Sequence, residues 1–242
     1  MSFNGGFPVS NAAEVYKEYW TGQEAEREKR DYYERLYRNV RPKIVVESAW
    51  RVLDVAGGNG QFMRYMGLPQ AEILDISESG LAAAEKNGFK TIAGDIEKRF
   101  PVPEETYDAV FCFEVLEHLH RPNKTLTEIH NVLKPQGVLY VGQPNMRADG
   151  IYHVRRYYLK DLLDDLDKAG FRAEWIDYVP AYSMPEAIRS DILRNPSRAR
   201  KAVQCVNLCL SLLPYPVRYR MAQAVPDRFA LLFVIKAVKK TT

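Results

Sequence analysis

Cysteine is scarce in this chain of 242 residues: Cys112, Cys205 and Cys209 are its three, and no two are spaced as a disulfide framework would require. Cys205 and Cys209 share one face of an apolar helical stretch, where they read as packed thiols, because free cysteine behaves as a small buried hydrophobe. The sequence also lacks any run of roughly 18 apolar residues, which excludes a membrane-spanning helix. Its first residues, MSFNGGFPVSNAAEVYKEYW, have no basic start followed by an apolar run, so no secretory signal is expected and the cytoplasm is the expected location. Neither positive nor negative charge is in strong excess. A formal net charge of +3 gives no electrostatic reason to expect nucleic acid as the main partner. No internal repeat, low-complexity tract or nucleophilic triad is visible.

What remains is a soluble globular composition, 46% hydrophobic and 27% charged, of a length that suits one α/β domain with additions. Residues 11–47 read as helical, with Pro42 near their end and a solvated charge run at Glu24–Asp31. From residue 50 the pattern alternates. Short apolar runs at Val52–Ala56, Glu72–Leu74, Thr91–Ala93, Ala109–Phe113 and Val138–Gly142 are separated by helical spacing at Gln61–Met66, Ser79–Asn87, Lys124–Leu133 and Leu159–Ala169. That alternation predicts a mostly parallel sheet covered by helices on both faces. Turn residues at Asn87-Gly88, Lys134–Gly137 and Ala169-Gly170 stop the helices. A further strand covers Arg172–Val179, prolines cut residues 181–226 into irregular helical pieces, and Arg228–Val238 reads as a buried strand. The expected divisions are an N-terminal helical segment or lid (1–47), a core (48–180), a helical insert (181–226) and a final core strand with its tail (227–242).

The first predicted strand runs into Ala56-Gly57-Gly58-Asn59-Gly60 and then a helix. Such a turn lets a ligand approach the backbone closely and aims free N–H groups at it. A dinucleotide fingerprint is the first competitor, but Met63 stands where its third glycine belongs and opposes close helix–strand packing. Asp75 ends the second strand about 20 residues beyond Asp54, the separation expected of a carboxylate that takes ribose hydroxyls. Ser77, just after it, reads as a helix cap.

Arg51–Gly60, RVLDVAGGNG, resembles the first motif of class I S-adenosylmethionine-dependent methyltransferases, V-L-D-x-G-x-G-x-G, with Ala56 at the first glycine. Asp75-Ile76-Ser77, Ala93-Gly94-Asp95-Ile96, the string from Tyr107 to Leu119 and Val132–Leu139 follow in the family's order and spacing, with Gln136 where glycine is usual. The resemblance spans roughly residues 50–143. It implies a doubly wound, Rossmann-like α/β fold with a seven-stranded, mostly parallel sheet whose last strand is antiparallel. It further implies S-adenosylmethionine as cofactor, with S-adenosylhomocysteine as product. The cofactor contacts it implies are Asp54, Ala56, Gly57, Gly58, Gly60, Asp75 on the ribose, Asp95 and Ile96 on the adenine, and Glu114. The segment from Asn145 through His153–Tyr158 to Phe171 resembles a subgroup that methylates quinones, sugars and other small molecules. The expected function is therefore methyl transfer to a small-molecule acceptor, with oxygen favoured; the alternatives are an NAD(P)-linked oxidoreductase and a cofactor-binding protein without catalysis.

Methyl transfer needs alignment and a dry site, with a base only where the acceptor must lose a proton. Glu114, Glu117 and His118 would share one face of a helical turn. Three readings of them stay open. His118, or His153, is a base near the acceptor; the three hold a divalent metal with His153 as fourth ligand, as some relatives with E-x-x-E-H do; or the glutamates cap the turn. Metal is the less favoured of these. His153, Arg155 and Arg156 form either a clamp for an anionic group or a solvated basic loop. Tyr16, Tyr19 and Trp20 either form a lid over the cofactor or pack within the helical segment. The insert, with Arg189, Arg194, Arg198, Arg200, Lys201 and the apolar Val203–Leu213, is a candidate substrate cap, dimer surface or peripheral membrane contact, with helices packed on the sheet edge as the plain alternative.

Overall fold

The structure is a computed structural model that describes residues 32–145, 153–155, 157–180, 212–226 and 230–240. The candidate lid Tyr16, Tyr19 and Trp20, the charge run Glu24–Asp31, the insert's basic residues, Arg156, Cys205 and Cys209 lie outside the described residues.

The alternation unfolds as strand β1 (Val52–Val55), helix α1 (Gln61–Met66), β2 (Glu72–Asp75), α2 (Glu78–Lys86), β3 (Lys90–Ala93), β4 (Tyr107–Phe113), α3 (Pro122–Val132), β5 (Leu133–Pro144), α4 (Leu159–Lys168), β6 (Phe171–Pro180), α5 (Tyr215–Ala224) and β7 (Ala230–Lys239). The strands form one seven-stranded sheet in the order β3-β2-β1-β4-β5-β7-β6. Neighbours from β3 to β5 are parallel, whereas β7 is antiparallel to both β5 and β6. This is the doubly wound sheet that the sequence predicts.

Side chains alternate across the pleat, so each strand feeds two cores. In β4, Val110 and Cys112 join Leu53, Leu74 and Leu139 beneath Leu126 and Ile129 of α3 and Leu162 and Leu166 of α4. Ala109 and Phe111 face the other way, onto Val52, Ile73 and Tyr140, and are covered by Phe62 and Met63 of α1, Leu81 of α2 and the 32–40 segment through Leu36, Tyr37 and Val40. Met63 has no exposed surface, so the position that a dinucleotide fold keeps small is here filled by core packing. A dinucleotide sheet would also run on from β5 straight to a parallel sixth strand, without the antiparallel β7 between them.

Two details depart from the expected boundaries. β5 begins at Leu133, before the turn residues rather than after them, and its pairing with β4 shifts register between Tyr107 and Ala109. Gln136 carries φ 62 there, the left-handed conformation that glycine would take without strain. At the other edge of the sheet, α5 packs on β6, with Ala222 buried beside Ala230 and Phe233. Buried Asp177 of β6 ties this region together: it accepts from Lys43 at 2.8 Å, Tyr219 at 2.6 Å and Gln223 at 2.9 Å. The described end of the predicted insert is thus a helix packed against the sheet edge.

Candidate functional site

Because β1, β2, β3 and β4 are parallel, the loops after them gather at one edge of the sheet, the usual place for a ligand in an open α/β fold. After β1 the backbone turns through left-handed residues: Ala56 at φ 58, Gly58 at φ 54 and Gly60 at φ 73, the last capping α1. Ala56 therefore holds a strained conformation at the one position where the motif departs from glycine. A Cβ on Gly57 would stand 2.4 Å from Asp54 Oδ2, so only glycine leaves room for the Asp54 carboxylate beneath the turn.

That carboxylate is 3% exposed, and its Oδ2 has no hydrogen-bond partner. Burial and the neighbouring Asp75 charge push its pKa well above the ordinary carboxylate value. Asp75, at the end of β2, is itself buried. Its oxygens accept from Gly58 N at 2.8 Å and Ser77 N at 2.7 Å, which locks β2 to the glycine turn. Burial raises the Asp75 pKa while these backbone donors pull it down. Ser77 caps α2 by accepting from Gly80 N. Ile76 next to it is an exposed aliphatic side chain. Gly94 N bonds Asp75 O at 3.0 Å, bringing the loop of Asp95 and Ile96 alongside. Asp95 accepts from Glu97 N and pairs with Lys98 at 3.2 Å, and Ile96 is buried.

The turn after β4 differs from its expected geometry. Glu114 stands at φ 56, outside any helix, and only Leu116–His118 form a single 3-10 turn. Glu114, Glu117 and His118 therefore do not share a helical face. The Glu114 carboxylate turns to the 32–37 helical residues and accepts from Tyr32 at 2.6 Å and from Tyr37. Glu117 points elsewhere. It is 1% exposed, and its Oε2 accepts from Gln143 Nε2 of β5 at 3.2 Å. Its Oε1 has no hydrogen-bond partner and lies 3.8 Å from His118 Nε2 and 3.9 Å from His153 Nε2. Burial, then the charge of Glu114, raises Glu117 to about 8. The two imidazoles meet edge to face, with centroids 5.0 Å apart.

His153 reaches His118 because the Glu117 carbonyl accepts from Val154 N and Arg155 N. Arg155 then bonds the carbonyls of Leu119 at 3.0 Å and His120 at 2.9 Å. Arg155, a candidate anion clamp or solvated loop residue, staples its own segment to the turn after β4. The sequence reading missed Gln143, Tyr32 and Tyr37. A polar residue at the carboxyl end of a parallel strand is the signal that could have found Gln143; the tyrosines carried none. Cys112 joins the two halves of the site: its thiol, raised mainly by burial, also feels Glu117 and Asp54.

Residues 53–141 match the family model described as a methyltransferase domain. The core is similar to methyltransferase domains. Its fold is Rossmann-like. The chain is 35% identical over 99 residues to malonyl-[acyl-carrier protein] O-methyltransferase of Halalkalibacterium halodurans, covering 36% of each chain. It is 27% identical over 106 residues to a ubiquinone biosynthesis O-methyltransferase of Photobacterium profundum, covering 40% of this chain and 45% of that protein. The chain thus spans less than half the length of these relatives. In fold, the chain is similar to an S-adenosylmethionine-dependent methyltransferase from Aquifex aeolicus, with a TM-score of 0.59 at 16% identity over 90% of this chain and 99% of that one.

The cofactor can be tested against the residues present. S-adenosylmethionine carries a cationic sulfonium and ammonium, a ribose diol and an adenine. The unpartnered Asp54 Oδ2, the space kept by Gly57 and the carboxylate of Asp75 supply buried negative charge beside a bare backbone turn. The fit is good.

Proposed function

We propose that the protein transfers a methyl group from S-adenosylmethionine to a hydroxyl oxygen of a small-molecule acceptor. The observation that carries this reading is the unpartnered, buried Asp54 oxygen under the glycine turn, beside a second carboxylate that the turn itself fixes. Two adjacent buried carboxylates with no cation between them are costly. A cationic ligand with hydroxyls to donate relieves both.

When bound, S-adenosylmethionine supplies a methyl group on positively charged sulfur, ready for in-line transfer to a nucleophile. Asp54 attracts the cationic part of the ligand. The oxygens of Asp75 keep a lone pair beyond those they give to the backbone, and it accepts from the ribose hydroxyls. Gly57, Gly58 and Gly60 bring the backbone close, with Ala56 opening the turn. Ile76 and Ile96 cover the faces of the adenine, with Asp95 at its edge, and Glu114 braces the wall that Tyr32 and Tyr37 close. His118 and His153 take up the proton that the acceptor hydroxyl loses. Oxygen is favoured because the two relatives named above are O-methyltransferases and because the His118–His153 pair can handle a hydroxyl proton. Residues 1–47 and 181–226 flank the core at 48–180 as lid and acceptor cap in this reading, with 227–242 completing the sheet. Among the described residues no helix is long and apolar enough to cross a membrane, which suits action in the cytoplasm.

Isothermal calorimetry tests the proposal. Binding of S-adenosylmethionine or S-adenosylhomocysteine is expected, and absence of both would overturn it. Donor binding with no turnover across phenols, sugars and quinone precursors would favour a non-catalytic cofactor-binding protein.

A further inference from the structure

We infer, on the basis of the methyl-transfer reading above, that Gln61 belongs to the donor site: its side-chain amide takes the amino-acid end of S-adenosylmethionine, with Oε1 accepting from the ammonium group.

Gln61 is the first residue of α1, directly after the last glycine of the turn. It is 8% exposed, and its Oε1 is buried with no hydrogen-bond partner. The turn is therefore bracketed by two unpartnered buried oxygens, Asp54 Oδ2 before it and Gln61 Oε1 after it. Helix capping does not account for the second. The start of α1 is served by Asn59, whose Oδ1 accepts from Gln61 N at 3.2 Å, while the Asn59 carbonyl accepts from Asn87 Nδ2 at 3.2 Å. The Gln61 amide is left over from that task.

Its neighbours make the oxygen costly. Phe62, Met63 and Met66 are the other buried residues of α1, and all are apolar. An amide oxygen buried beside them without a donor loses its hydration and gains nothing in return. Leucine or methionine at this position would avoid that loss with equal or better helix propensity. A donor that arrives with a ligand accounts for the polar atom.

Helix geometry says which space the amide faces. Residues four apart share one face, and each side chain leans toward the N-terminus of its helix. Tyr65 stands four residues after Gln61, and its ring meets that of Tyr33 with centroids 5.9 Å apart. Gln61 thus lies one turn nearer the glycines than Tyr65, on the flank turned to the 32–37 helical residues. Tyr32 and Tyr37 close onto Glu114 from the same segment.

The chemistry of the amide fits the end of the donor that the carboxylates fit poorly. An α-amino acid carries an ammonium and a carboxylate on one carbon. Asp54 attracts the first and repels the second. A primary amide offers an acceptor and a donor side by side and has no charge of its own, so it suits both groups.

Two ligands that differ only at this end test the assignment. S-adenosylhomocysteine has the amino acid; 5′-methylthioadenosine keeps the adenine, ribose and sulfur and lacks it. Gln61→Met keeps the length of the side chain and removes the amide. Calorimetry should find S-adenosylhomocysteine bound at least about fivefold more weakly by the variant, and 5′-methylthioadenosine within about twofold of wild type. Without ligand, the variant should unfold at the same temperature as wild type or higher, because the amide has no partner to lose. Wild-type protein labelled with nitrogen-15 in its glutamine side chains reports without mutation: the Gln61 amide signals should shift with S-adenosylhomocysteine and stay in place with 5′-methylthioadenosine. Equal weakening of both ligands, no weakening of either, or a lower unfolding midpoint would overturn the role of Gln61 and leave the donor site itself standing. Failure of wild type to bind either ligand would overturn the donor reading and this residue's part in it together.

Discussion

The Tyr37 hydroxyl donates to the Glu114 carboxylate, joining residues 77 apart in the chain and closing the 32–37 helical residues onto the turn after β4. Glu114 is held left-handed at that turn, and burial raises its pKa against the pull of its two tyrosine donors. Tyr37 also packs edge to face on Phe62 and Phe113, so a phenyl ring keeps the packing and loses only the hydroxyl. Tyr37→Phe is expected to destabilise the protein by about 1–3 kcal/mol, the cost of a buried charged group losing a partner. Urea unfolding measures it, and an unchanged midpoint would show that Tyr32 alone satisfies the carboxylate.

Asp75→Ala removes the acceptor that the glycine turn itself positions. Calorimetry should find S-adenosylmethionine bound at least tenfold more weakly, about 1.4 kcal/mol. Affinity equal to wild type would mean that the ribose lies elsewhere.

Asp54→Asn separates stability from binding. The folded Asp54 carboxyl titrates well above its ordinary 3.8, so the native state holds this proton more tightly than the unfolded chain does. Stability from that proton is complete at acid pH and is lost as pH rises from about 4 through the folded pKa. The ligand-free variant should therefore be more stable than wild type at pH 7, by a margin that shrinks as pH falls toward 4, while binding S-adenosylmethionine more weakly. Thermal melts across that range check the sign. A variant less stable at neutral pH would reveal a favourable partner for the charge.

Gln136→Gly relieves a left-handed backbone at an exposed residue, with little side-chain packing to lose. The gain from φ exceeds the entropy cost of glycine, and the expected stabilisation is about 0.5–1 kcal/mol. A lower unfolding midpoint would count against the strain.

Much of the sheet was legible because its signals are short-range. Apolar runs and turn residues mark β1 to β4, and the glycine turn with Asp75 is a local pattern that the fold brings together by pairing β2 beside β1. What the sequence could not show lies in long-range contacts and single backbone angles. Nothing in the residues around Glu114 announces a positive φ, so a regular helical face for Glu114, Glu117 and His118 was the natural expectation; one left-handed residue sends Glu114 to the tyrosines and leaves the other two facing His153. Arg155 read as a cation in search of an anion, since charge is visible in a sequence and the carbonyls of Leu119 and His120 are not. The early start of β5 is hidden for a similar reason, because Pro135 and Gly137 signal a turn and the strand carries them as a register shift.

The place of β7 between β5 and β6 bears on how the chain assembles. Among the described residues, strand β6 reaches the rest of the sheet only through β7, and their pairing runs from Phe171 with Lys239 to Pro180 with Ala230. During synthesis β6 leaves the ribosome long before its hydrogen-bonding partner exists, and its backbone must wait with an open edge. Entry of β7 then completes two ladders in one event. Late, non-local pairing of this kind is slow and exposes strand edges to other chains. The half of the sheet from β3 to β5, which carries the glycine turn and Asp75, can close earlier from its own parallel neighbours. The edge that carries these loops is thus in place before the sheet is finished.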